Sequence, residues 1–312
     1  MKKFYSRFIA VMLAAMMLFT ACGSSDSKKD TAEASSSEAS TTEAAQPAET
    51  GAPVSEDTLE ETEIHVFIAA SLSSVMEELK TMYNEKHPEV TITYSADSSG
   101  TLLTQIEEGF ECDIFFSAAQ KQVNTLQDED KMVIEGKRAN VVNNQVCVVK
   151  AKGAETAVTG LEDIEKASSI ALADGSVPVG KYTRQALVNL GKLEAVDDVS
   201  TITTAQVSEA LGGVEISEQG NVSKVRTAVV EGSCEIGTVY YSDTYGFEDQ
   251  LDIIQMVDYS LTGDVIYPIC RVTNKEADDA QTAAADSFYE FILSDEATAV
   301  FDKYLFDTNV ER

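Results

Sequence analysis

The stretch EIHVFIAASLSSVMEELKTMY, residues 63–83, carries two hydrophobic rhythms in succession. Residues 63–69, apolar at Ile64 and throughout Val66-Phe67-Ile68-Ala69, read as a buried strand of a parallel sheet. From there Leu72, Val75, Met76, Leu79, Met82 and Tyr83 recur at helical spacing, so one face of a helix should be buried. Strand then helix is the first unit of an α/β fold. Further units follow as a strand at 90–94, a helix at 102–109, a strand at 113–117 and a polar helix near 120–127. This alternation predicts a parallel sheet with helical crossovers.

The rhythm resumes after Asn143-Asn144. Strand patterns at 145–150, 169–173 and 235–241, with helix patterns at 181–190 and 222–231, predict a second α/β lobe. The tail returns with a strand at 265–272 and helices at 277–293 and 295–304. A chain that builds one lobe, crosses to another and comes back leaves two hinge segments and a cleft. The expected division is 61–142 plus 261–312 for the first lobe and 143–260 for the second.

The segment before the folded region reads as targeting and tether. Lys2, Lys3 and Arg7 precede the apolar run 8–20, too short to span a bilayer and ordered like a secretory signal peptide over 1–21. The run ends at Ala21-Cys22-Gly23, which resembles a bacterial lipoprotein processing box, implying cleavage before Cys22 and lipid on its sulfur. Residues 22–60 are Ser, Thr, Ala, Glu and Asp with almost no bulky apolar side chain, so a disordered acidic tether is expected.

Composition excludes several functions. With 53 acidic against 23 basic residues and a net charge of -30, the chain is a poor partner for a nucleic acid, which is held by Lys and Arg on its phosphates. His65 and His87 are the only histidines, too few for a His-rich metal site. The remaining cysteines, Cys112, Cys147, Cys234 and Cys270, are widely spaced in or beside apolar runs, and buried free thiols are expected.

In open α/β sheets ligands sit beyond the carboxyl ends of strands, where loops enter helices. Four such junctions are uncharged and mostly small: Ala69-Ala70-Ser71-Leu72-Ser73, Ser98-Ser99-Gly100-Thr101, Val177-Pro178-Val179-Gly180 and Gly220-Asn221-Val222. Helix N-termini expose unpaired N–H groups and the positive end of the dipole, so several converging on one point would cage an anion without a cationic side chain. Each junction taken alone could equally be an ordinary helix cap.

These residues carry a resemblance to a family. Ala69-Ala70-Ser71-Leu72, then Ser98-Ser99-Gly100-Thr101-Leu102 with Gln105-Ile106-Glu107-Glu108-Gly109, and Asp113-Ile114-Phe115-Phe116-Ser117-Ala118 resemble the molybdate-binding proteins of ABC importers. Val177-Pro178-Val179-Gly180-Lys181-Tyr182, Asn221-Val222 and Gly237-Thr238-Val239-Tyr240-Tyr241-Ser242-Asp243 match in the same order. The resemblance implies a two-lobed periplasmic-binding-protein type II fold that closes over molybdate or tungstate, with no further cofactor. It implies donors from Ser71 and Ser99, backbone N–H groups at Val179 and Val222, and the Tyr240 hydroxyl. It also implies delivery to a permease and its ATPase, outside the cytoplasm, at the membrane that holds the lipid on Cys22. The departures are Val179, where the family often has Ala, and a longer segment over 201–220.

Two rival readings stay open. The same fold could bind or sense sulfate or another tetrahedral oxyanion, or Ser71 or Ser99 could be a hydrolase nucleophile. The latter needs a base within reach, and the candidates are His65, inside a strand, and His87, on a turn.

Overall fold

A computed structural model describes residues 59–311. The expected signal peptide (1–21), Cys22 and nearly all of the tether (22–60) lie outside the described residues.

The chain order is β1 (Thr62–Ala69), α1 (Ser73–Lys86), β2 (Val90–Asp97), α2 (Ser99–Glu107), β3 (Ile114–Phe116), α3 (Gln120–Asn124), β4 (Val133–Asn144), β5 (Val146–Ala151), β6 (Ser169–Ala173), α4 (Pro178–Asn189), α5 (Thr204–Ala210), β7 (Glu215–Gln219), α6 (Val222–Val230), β8 (Ile236–Tyr240), β9 (Leu251–Met256), α7 (Tyr259–Thr262), β10 (Val265–Val272), α8 (Asp279–Ile292) and α9 (Asp295–Lys303). One sheet has the order β2-β1-β3-β10-β4, the other β7-β6-β8-β5-β9. Each sheet with its helices is a lobe. Gln145 links β4 to β5, and residues 257–264 bring the chain back to β10.

The sheets are mixed, which corrects the expectation of a parallel sheet. β1 pairs parallel with β2 and β3, and β6 parallel with β7 and β8. β10 runs antiparallel to β3 and β4, and β5 antiparallel to β8 and β9. The reason is the crossing itself. β5 and β10 start at the hinge and run away from it, whereas β1, β2, β3, β6, β7 and β8 end towards the cleft.

Ile64, Val66, Ile68, Leu72, Val75, Met76 and Leu79 are buried together, so the strand and helix faces read from residues 63–83 meet in one core. Side chains also punctuate the helices. Ser98 Oγ accepts from Thr101 N at 3.1 Å at the start of α2, and Asn221 Oδ1 accepts from Lys224 N at 3.0 Å at the start of α6. Such caps stabilise a helix end by about 1 kcal/mol. Pro178 opens α4, where its missing N–H costs nothing. Gly180 is required by close approach, since a Cβ there would stand 2.2 Å from Asp174 O. All four described cysteines are buried and free.

Candidate functional site

Six strand ends converge on one small cavity. The first lobe contributes Ala69, Ala70 and Ser71 beyond β1, Asp97, Ser98 and Ser99 beyond β2, and Ala118 beyond β3. The second contributes Val177, Pro178 and Val179 at the start of α4, Asn221 and Val222 at the start of α6, and Tyr240 at the end of β8. All five expected donors, Ser71, Ser99, Val179, Val222 and Tyr240, are therefore brought to the same cavity. Val179 and Val222 lie in first turns, whose N–H groups have no acceptor within their own helix.

The two serines are held by fixed partners. Ser99 Oγ accepts from Ala118 N at 2.9 Å, which leaves the Ser99 proton free to be donated elsewhere. Ser71 Oγ lies 2.9 Å from the Tyr267 hydroxyl. Tyr240 is 1% exposed, and its hydroxyl oxygen has no hydrogen-bond partner in the protein. Burial pushes the Tyr240 phenol well above its usual range, with Tyr267, Tyr182 and Asp243 nearby adding to the shift, so it stays protonated and can donate. Its backbone N–H donates to Asp243 Oδ2 at 3.0 Å, which fixes the strand end that carries it.

No Lys, Arg or His lines the cavity. Asp97 is the one ionisable carboxylate there, and its Oδ1 accepts from Ser98 N at 2.7 Å and from Asn221 Nδ2 at 3.0 Å. The cation nearest in sequence to the α4 junction, Lys181, is half-buried and does not line the cavity. Arg184, one turn further on, is fully buried and donates to Ala173 O at 2.8 Å, Gly180 O at 2.9 Å and Ile202 O at 2.7 Å. It ties the end of β6 to the first turn of α4. The arrangement offers hydroxyl and backbone donors to a small anion, and the Asp97 carboxylate is occupied by its two donors. His65 lies 3.2 Å from Glu111 and His87 3.4 Å from Glu89, and neither lines the cavity.

Sequence reasoning missed Asp97, Asn221 as a clasp, and the Tyr267 hydroxyl beside Ser71. A signal existed for Asn221, since Asn before an apolar helix start is a cap. Tyr267 sits in an apolar strand and reads as core.

A two-lobed α/β fold with a donor-lined cavity at facing strand ends defines a solute-binding protein of the periplasmic type. The chain belongs to the bacterial extracellular solute-binding protein family, whose model matches residues 64–307. It is 28% identical over 307 residues to a Bacillus subtilis (strain 168) protein provisionally named an ABC transporter substrate-binding lipoprotein, YvgL, covering 98% of this chain and 99% of that one. The molybdate-binding protein ModA of Haemophilus influenzae is 27% identical over 252 residues, covering 78% of this chain and 89% of the relative. Among solved structures, the substrate binding domain of a provisionally named molybdenum ABC transporter from Clostridium difficile superposes with a TM-score of 0.57 at 27% identity, covering 80% of this chain and 99% of that one.

Proposed function

We propose that the protein is the extracytoplasmic binding component of an ABC importer that captures molybdate or tungstate and delivers it to a permease and its ATPase. One observation carries the reading: hydroxyl and backbone donors from both lobes line one cavity, and a buried Tyr240 hydroxyl there has no protein partner. The similarity to molybdate-binding relatives supports the choice of anion. Ser71, Ser99 and Tyr240 donate through hydroxyls, and Val179 and Val222 through backbone N–H groups. Hydrogen bonds to a charged group contribute about 1.5–3 kcal/mol each, so five to seven donors suffice for tight binding after the cost of closure. The reading is of a binder: neither histidine lines the cavity, and the Asp97 carboxylate there is engaged by Ser98 N and Asn221 Nδ2.

Calorimetry of residues 61–312 with molybdate, tungstate, sulfate and phosphate is the test. Binding of molybdate and tungstate, with sulfate and phosphate much weaker, is expected; preference for sulfate or phosphate would transfer the site to another oxyanion. We further propose that Cys22 carries the lipid and 22–60 the tether. A fatty-acid probe should label the full chain in cells and spare Cys22→Ala; equal labelling of both would sink the anchor.

A further inference from the structure

A serine hydroxyl helps an anion only when its proton faces the anion. If the oxygen lone pairs face it instead, the same group repels. The direction of each hydroxyl is thus part of the site, and the hydrogen bonds behind Ser71 determine it.

Asn144 is 1% exposed, and its Oδ1 accepts from Gln145 N at 2.9 Å, which assigns oxygen and nitrogen in the amide. Both Nδ2 protons are then spoken for: one goes to Ser242 Oγ at 2.8 Å, the other to the Tyr267 hydroxyl oxygen at 3.2 Å. An amide nitrogen can only donate, so Tyr267 accepts from it. Tyr267 is fully buried and has one proton of its own, and the other hydrogen-bonding group at its oxygen is Ser71 Oγ, 2.9 Å away. With its one proton given to Ser71, Tyr267 is satisfied on both sides; Ser71 then accepts, and its own proton is left for the cavity that it lines.

We propose that Tyr267 and Asn144, which do not line the cavity, are positioning residues that form a one-way hydrogen-bond relay turning the Ser71 proton towards the bound oxyanion. This rests on the reading of the cavity as an oxyanion site. The relay runs Asn144, Tyr267, Ser71, anion, and each donation polarises the next group so that the last hydroxyl is a stronger donor. Its root lies beside Gln145, the residue that joins the two sheets, and Ser242 on the second lobe shares the same amide. The orientation of Ser71 in the first lobe is therefore fixed from the hinge.

A double-mutant cycle in the full chain tests this. Tyr267→Phe removes the relay hydroxyl and keeps the ring, and is expected to weaken molybdate binding about 5- to 10-fold. In a Ser71→Ala background the same substitution should change affinity less than about twofold, because the group that it orients is gone. An equal loss in both backgrounds would mean that Tyr267 acts through packing alone and would overturn the relay. A second readout needs no ligand. In the free protein the Tyr267 hydroxyl proton should exchange slowly and show an NMR cross-relaxation contact to the Ser71 β protons. Absence of a protected hydroxyl proton, or contacts only towards Asn144, overturns the stated direction. If the unsubstituted protein binds none of the oxyanions, the proposed function falls, and this spectrum still decides the relay.

Discussion

Asn221 donates through Nδ2 to Asp97 Oδ1 at 3.0 Å, a bond that joins the start of α6 in one lobe to the end of β2 in the other. The opposite end of the same amide caps α6. One side chain thus both caps the helix whose first residue lines the cavity and bonds the two lobes beside it. Lys121 Nζ and Asp198 Oδ2, 2.8 Å apart, make a second bridge between the lobes, but on the surface, where such a pair contributes little.

Asn221→Asp separates the cap from the clasp. Aspartate caps a helix as well as asparagine, so the unfolding temperature of the free protein should change little. It cannot donate to Asp97, and two carboxylates would then face each other across the closing cleft. Molybdate affinity should fall more than about tenfold, with partial recovery at high salt. Calorimetry beside thermal unfolding measures both, and unchanged affinity would show that the clasp is idle.

The second prediction ranks neutral donors above the nearby cation. Ser71→Ala and Ser99→Ala should each cost about 1–3 kcal/mol of molybdate binding, as each removes a donor to a charged group. Lys181→Gln should change affinity little, since Lys181 does not line the cavity. Affinity should also depend weakly on ionic strength, because buried interactions are screened far less than exposed ones. A titration in low and high salt checks this. Loss of binding in Lys181→Gln with both serine variants silent would replace the neutral cage with a cationic site.

Much of this arrangement was legible in the sequence, and what was not has a common cause. β1, β3, β6, β8 and β10 have sheet neighbours on both sides and carry near-continuous apolar runs, which periodicity finds. β4, β7 and β9 are edge strands. Their sequences, VIEGKRANVVNN, EISEQ and LDIIQM, mix charge into the strand because one side faces water, and no strand was expected at any of them. The long segment 201–220 proved to hold α5 and β7. Antiparallel pairing of β5 and β10 was equally invisible, since strand direction depends on where the chain crosses between lobes. The proposed donors Ser71, Ser99, Val179, Val222 and Tyr240 were expected from junction chemistry and resemblance, and the structure places all five on one cavity. Tyr267 and Asn144 were not singled out because a tyrosine inside VIYPICRV looks like core, and the role proposed for it depends on a proton direction that only three-dimensional partners define.

Asp243 supplies a pH dependence. Its carboxyl is buried and pushed up to about 6 by that burial, against the opposing pull of Arg226 and of the Tyr240 N–H. A carboxyl raised in the folded state stabilises the fold most below its unfolded value near 3.8, and that contribution is lost as pH rises through about 6. Between pH 5 and 7.5 the protein should therefore lose about 1 kcal/mol from this group. Asp243→Asn keeps an acceptor for Tyr240 N and removes the titration. The stability of the variant relative to the unsubstituted protein should rise by that amount over the same interval. Chemical denaturation at the two pH values decides it, and parallel changes in both proteins would show that Asp243 does not titrate there.

The sharpest prediction concerns Tyr240, where stability and binding should part. A hydroxyl buried without a protein partner gives the free protein little in return for its desolvation, so Tyr240→Phe removes no intramolecular hydrogen bond. The ring remains, and with it the edge contact to Tyr267 at 5.8 Å between centroids. The unfolding temperature without ligand should stay the same or rise. Binding should behave oppositely. If the phenol is a donor to the oxyanion, its loss costs about 1–3 kcal/mol, a drop of roughly 5- to 150-fold in molybdate affinity. The phenol is protonated at neutral pH because burial raises its pKa, so this loss should be constant from pH 6 to 9. Thermal unfolding with and without molybdate measures both effects in one series: the variant should match or exceed the unsubstituted protein when free and fall below it when ligand is added. A variant that unfolds earlier without ligand yet binds molybdate unchanged would make Tyr240 a structural residue and leave the cavity one donor short.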